Sequence, residues 1–315
     1  MNEPSKHHFV PQVYLRYFAK ERKKKEFILY VYDKIQNKIY PKNIKDIGYK
    51  KDYNRVKIGK YLPQVPNDDV LYYENRFREL IENDWNSIVH NFTATCTLST
   101  QQKVLSYDMK RLLAKLILIQ LMRTPSAREL TRKIGIESSK ELFDKYTPLF
   151  DYLPRNDIKK SFIKMKREFI FDEEQTKLHH LLAATNCKKA EMLSNAFIQK
   201  RAWIVYMSPD FMRFPFYTSD NPVVFYNLFL DKHGFGLNGI NVNTSIIGYP
   251  VTPQYFIITF HKELFLSKPF IDLEDKCIIV SSRLIKLINN HQITQCNRQV
   301  YIPPYQEIKQ WQDFF

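Results

Sequence analysis

With 315 residues, 23 Phe and 20 Tyr against only 7 Gly, the chain can bury a sizeable core; it is not disordered, and it is poor in the glycines that phosphate-cradling loops need. The formal charge of +15 exceeds what solubility requires and would attract nucleic acid, nucleotides or an acidic partner, although a lysine-rich, glycine-poor composition is also what an AT-rich genome encodes. Cys96, Cys187, Cys277 and Cys296 are too widely spaced for a zinc finger, and neither a secretory signal nor an apolar run of the ~18 residues a membrane span needs is present, so a cytoplasmic protein without membrane contact is expected.

The chain opens on His7-His8-Phe9-Val10-Pro11-Gln12-Val13-Tyr14-Leu15-Arg16-Tyr17-Phe18. Val10, Tyr14, Leu15 and Phe18 have helical spacing around Pro11, so this segment should dock on the body and hold the two histidines at its mouth. A basic break, Lys20 to Lys25, precedes the β-prone Phe27–Tyr32, and the turn residues Asp33-Lys34 and Gln36-Asn37 join it to Lys38-Ile39-Tyr40 as a hairpin. Asn43 to Asn67 reads as a long loop. Asn67-Asp68-Asp69 would cap a helix to about Phe92, with Phe77, Leu80, Ile81, Trp85, Ile88 and Phe92 on one stripe. From Ser99-Thr100 to Arg123 so many faces are apolar that the helix should be buried on more than one side.

Thr124-Pro125 breaks or kinks that helix, a more polar one follows from Ser126 into the Lys140 region, and Pro148 and Pro154 mark a loop. The acids Asp172-Glu173-Glu174 suit the start of another helix, whose stripe runs through Leu178, Leu181, Leu182, Leu193, Ala196 and Phe197. From Arg201 the period falls towards two. Strands are predicted at 203–206, 216–218, 223–225, 246–250, 255–260 and 276–280, then a helix from about Ser282 to Arg298 and a last strand, 299–302. The result is a single α+β domain over 1–315. Residues 1–66 supply the motif and hairpin and 67–200 a central helical bundle; 201–315 form a mainly antiparallel sheet on which the opening segment packs.

Four segments resemble the ordered landmarks of the DUF4238 family: the opening motif, Leu121-Met122-Arg123-Thr124-Pro125, Thr218-Ser219-Asp220-Asn221-Pro222-Val223, and Pro250-Val251-Thr252-Pro253. They span nearly the whole chain. The resemblance implies a bacterial, soluble protein; it supplies no mechanism and no catalytic residue.

The residues themselves suggest chemistry. His7 or His8 could act as acid, base or metal ligand near neutral pH, and Asp220 could orient a histidine, activate water or bind a divalent ion. Arg123 and Arg298 could hold phosphate oxygens, with Gln12 and Asn221 as neutral orienters. Such a set suits a nuclease or a nucleotide hydrolase. Each member also has a plainer role: Asp-Asn-Pro is good turn chemistry, paired histidines can cap a sheet edge, and Arg123 can pair with Glu79 or Glu129 or bond the carbonyls of its own helix. The adjacent His179 and His180 point about 100° apart on a helix and cannot chelate one metal together. Gly234, Gly236 and Gly239 lack the helix a dinucleotide fingerprint requires and read as a hairpin tip. Three functions therefore compete: a phosphodiester or nucleotide hydrolase with a His/Asp centre, a non-catalytic nucleic-acid or partner-binding protein whose motifs are fold anchors, and a component of bacterial defence.

Overall fold

The computed structural model describes residues 6–56, 72–98, 102–151, 157–158, 160–161, 164, 173–227, 242–265 and 271–305. In chain order these form β1 (Lys6–His8), α1 (Gln12–Leu15), β2 (Lys20–Lys23), β3 (Glu26–Asp33), β4 (Lys38–Asn43), β5 (Tyr49–Lys51), α2 (Tyr72–Phe77), α3 (Trp85–Leu98), α4 (Tyr107–Met122), α5 (Pro125–Asp151), α6 (Glu173–Thr185), α7 (Cys187–Lys200), β6 (Arg201–Met207), β7 (Thr218–Ser219), β8 (Val224–Asn227), β9 (Ser245–Pro250), β10 (Tyr255–His261), α8 (Lys262–Phe265), β11 (Cys277–Ile279), α9 (Ser282–Gln295) and β12 (Gln299–Ile302). The fold is α+β. Among the described residues no helix is long and apolar enough to cross a membrane.

The strands do not gather into the one sheet expected. One five-stranded sheet runs β11-β6-β10-β9-β8, with only β11 and β6 parallel. In a second, β3 pairs with β4 along one edge and shares the other between β2 and β12, and β7 lies beyond β12. The composition of β12 explains its place. Val300 and Ile302 pack with Tyr32 and Cys296 on one face while Tyr301 enters the main core on the other, so the strand needs cover on both faces. A third, two-stranded sheet pairs β1 with β5, which forms where the sequence predicts a long loop. Residues 57–67 of that loop lie outside the described residues.

Helix boundaries follow their caps. The side chains of Ser106, Asn186 and Ser281 accept backbone N–H bonds from Met109, Lys189 and Leu284 and start α4, α7 and α9. Asn186 thereby splits the single helix expected after residue 172 in two, and Leu182, placed on its stripe, is exposed. The first long helix is likewise divided: α2 passes into a π-helical turn, Arg78–Glu82, before α3 begins, yet all six predicted stripe residues are buried. In α4, Leu113, Ala114 and Leu116 to Gln120 are buried around the axis, as its composition predicts. Pro148 does not stop α5, which continues to Asp151; near the end of a helix a missing N–H breaks only one late hydrogen bond. Phe216 and Tyr217 stay out of β7 because the Tyr217 N–H donates to the Asn289 side chain (2.9 Å). The helix expected from 99–100 begins only at Tyr107, because the N–H groups of Val104 and Leu105 donate to the Asp275 carbonyl (2.7 and 3.2 Å). The predicted openings at 67–69 and at Asp172, together with Pro154 and the glycine run at 234–239, lie outside the described residues.

Candidate functional site

The opening motif is built into the interior. Val10, Tyr14, Leu15 and Phe18 are all fully buried, each contributing on the order of 1.5–3 kcal/mol. Gly48, at φ 62°, turns the chain back so that its carbonyl accepts the N–H groups of both Phe9 (2.8 Å) and Val10 (3.1 Å). A side chain there would meet the Val10 Cβ at 3.0 Å, which with the left-handed φ requires glycine. The Tyr14 hydroxyl, beside Thr218 Oγ1 (2.7 Å), also donates to the Pro250 carbonyl (2.8 Å) and so ties the motif to two of the other landmarks.

Helix α4 supplies the remaining fastening. Gln120, the polar residue inside its apolar run, donates to the Phe9 carbonyl (3.1 Å), and Arg123 Nη2 donates to the His8 carbonyl (2.6 Å). Arg123 is buried, pairs with Glu82 (2.9 Å) and lies 4.5 Å over the Phe77 ring. Its partner is thus Glu82, not Glu79 or Glu129, which pair with Arg76 and Arg132. Thr124 and Pro125 then take the N-cap and first position of α5, the Thr124 hydroxyl accepting from the Ala127 N–H (3.3 Å).

The two histidines face different surroundings, as neighbours on a strand must. His8 lies near Tyr49 and within 3.5 Å of the Gln12 amide. Burial, then the nearby Arg123 charge, push it down to about 4, so it is neutral at pH 7. His7 is 1% exposed, and its Nδ1 accepts the Asn54 N–H (2.9 Å).

Asp220, Asn221 and Arg298 gather elsewhere, at the junction of α9 with β12. The Asp220 carboxylate is buried and saturated by backbone: Oδ1 accepts from Asn297 (2.8 Å), and Oδ2 accepts from Arg298 (2.8 Å) and Gln299 (3.1 Å). Burial pushes it up to about 6 against the opposing pull of those three N–H groups. The Asn221 amide donates to the Gln295 carbonyl (3.2 Å) at the end of α9. Arg298 grips Asp33 through Nε and Nη2, both at 2.8 Å, and holds that carboxyl below its usual range; Asp33 in turn accepts the Ile35 and Gln36 N–H groups of the hairpin turn.

Seven predicted site residues thus form two groups, His7, His8, Gln12 and Arg123 in one and Asp220, Asn221 and Arg298 in the other. Among the described residues no hydrogen bond or ion pair joins His7 or His8 to Asp220, and no group of three or more His, Cys, Asp or Glu side chains could hold a metal ion. The sequence reading missed a third group beside the first: Tyr53, Asn54, Arg128 and His180, of which Tyr53, Asn54 and His180 are buried. Only Gln120, a polar residue in an apolar run, signalled in the sequence that backbone would be held here.

A family model, Protein of unknown function (DUF4238), matches residues 6–304. No curated protein and no solved structure matches the chain.

Proposed function

We propose, from the premise that the chain belongs to the DUF4238 family, that the landmark residues are fold anchors and that the protein is a non-catalytic, cytoplasmic nucleic-acid-binding protein. One observation carries this reading. Lys20, Arg22 and Lys23 of β2 and Lys24 and Lys25 of the turn after it are all exposed, and among the described residues none of the five forms a salt bridge. The intervening Glu21 is engaged in accepting the Lys25 N–H (3.1 Å). Arg16 lies 5.4 Å over the Phe27 ring beside this hairpin, adding a sixth cation next to an aromatic face. A nuclease or nucleotide hydrolase using His7 or His8 with Asp220 is less favoured, since the Arg123 clamp and the Asp220 turn both serve to hold backbone.

Lysines on an edge strand also block sheet-to-sheet aggregation, and the test separates the two roles. Binding to labelled single-stranded RNA and DNA is measured by anisotropy across a salt series, for the wild type and for a variant with all five cations replaced by Gln. Binding should weaken steeply with salt, and the variant's slope should fall by about 0.7 for each phosphate it no longer neutralises. A variant that aggregates but binds with an unchanged slope assigns the lysines to edge protection. Absence of wild-type binding at about 50 mM salt removes the proposal, and turnover of any of these substrates by the wild type restores the hydrolase reading.

A further inference from the structure

The group that surrounds Tyr53 has more hydrogen-bond donors than acceptors. The Arg128 guanidinium lies 3.4 Å over the Tyr53 ring, donates through Nη1 to the Tyr53 carbonyl (2.8 Å) and through Nε to His180 Nδ1 (3.3 Å), and has no carboxylate partner among the described residues. Burial pushes this guanidinium down to about 10, the direction expected of a cation with no counter-ion in contact. His180 is held neutral, pushed down to about 3 by burial and then by Arg128. Lys50 adds a second positive charge at the exposed rim, 5.9 Å from the Tyr53 ring.

The interior side of the same group also holds donors without acceptors. Because His7 Nδ1 accepts the Asn54 N–H, the ring N–H is at Nε2, and it meets no acceptor. The Tyr53 hydroxyl and the Arg123 Nε–H are also buried without a partner. His7 is 1% exposed, Arg123 1% and Tyr53 5%. The acceptors left unsatisfied nearby are Asn54 Oδ1 and Gln120 Oε1, and the Glu74 carboxylate lies 3.7 Å from His7 Nδ1 on the side away from Nε2. Buried polar groups are nearly always paired, so each of these donors calls for an acceptor.

We propose that His7, Tyr53, Arg123 and Arg128 form a binding site for a phosphate group, the oxyanion whose several acceptor oxygens would satisfy these donors and whose charge would neutralise Arg128. The site is separate from the basic hairpin and does not depend on it. Each orphan donor is one bond the anion can accept, and charge-assisted bonds of this kind are the strong ones. Arg128 already stacks on Tyr53, so little side-chain freedom remains to be lost on binding.

The test uses the full chain and inorganic phosphate, with sulfate and chloride in parallel, read by titration calorimetry and by thermal melting. The wild type should bind phosphate saturably and melt at a higher temperature in it. Tyr53→Phe keeps the ring under Arg128 and removes only the hydroxyl; it should weaken binding about tenfold. Arg128→Gln should weaken it by about a hundredfold or more. The five-site hairpin variant should bind phosphate as the wild type does, so failure of this proposal and failure of nucleic-acid binding are told apart. Lack of saturable phosphate binding by the wild type, or wild-type affinity in both folded variants, would overturn the site.

Discussion

Asp220 shows how one residue can look catalytic in sequence and serve as a joint in the structure. Its carboxylate receives three N–H groups from the turn that leads α9 into β12. Asp220→Asn replaces one acceptor oxygen by an amide nitrogen that faces those donors, and should cost about 2–4 kcal/mol in urea unfolding. The cost should depend on pH in a definite direction. The folded value, about 6, lies above the ordinary value of 3.8, so the protonated form is favoured in the folded state. The contribution is fully present below the unfolded value and is lost as pH rises through about 6. The stability difference between wild type and Asp220→Asn should therefore shrink by about 2 kcal/mol between pH 4 and pH 7.5; a difference that grows over that range refutes the sign. At this scale the sequence marked residues as special without showing what they bond. His8, Arg123, Asp220 and Asn221 were legible as special because polar groups flank apolar runs, whereas the backbone groups they would hold come from segments distant in sequence. Tyr53 and Arg128 carried no such mark, since neither sits in a motif and their contact joins a loop to a helix.

Among the elements, legibility followed apolar composition and length. Short apolar runs rich in β-branched and aromatic residues, such as β10 and β12, and the all-round apolar α4 were readable because such runs fix both type and burial. The π-helical turn after α2 and the break at Asn186 were not, since each depends on local hydrogen bonding that leaves the apolar spacing intact. The division into separate sheets was equally hidden: β12 read as a strand, but nothing local says that one of its partners, β3, lies in the first fifty residues. Helix α1 is the element on which the landmarks converge, through the Tyr14 hydroxyl with its partners Thr218 and Pro250. Tyr14→Phe keeps the ring packed on Phe18, Trp85 and Tyr249 but leaves the Pro250 carbonyl without this donor. It should cost about 1–3 kcal/mol, and amide exchange should quicken in both α1 and β9. Faster exchange confined to α1 would mean that the hydroxyl is not what couples the two regions.

For the whole molecule, one buried cluster draws residues from the opening motif, the helices and the C-terminal strands alike, so the parts become stable together. The arrangement of the second sheet adds a constraint in time. Asp33 and Arg298 meet across 265 positions of sequence, and β12 fills the edge of β3 beside them. On the ribosome, β3 is made early and waits through nearly all of translation for the strand that closes it. Meanwhile Tyr30 to Asp33 present an open edge to any other nascent chain, and the pairing that ends this exposure is of the slow, long-range kind. A chain truncated after residue 298 should accordingly be found in aggregates even though every helix among the described residues is present, and a separate peptide carrying residues 299–305, supplied during refolding, should recover soluble protein. The lysines of β2, on the same edge of β3, would then guard the growing chain as well as the finished one.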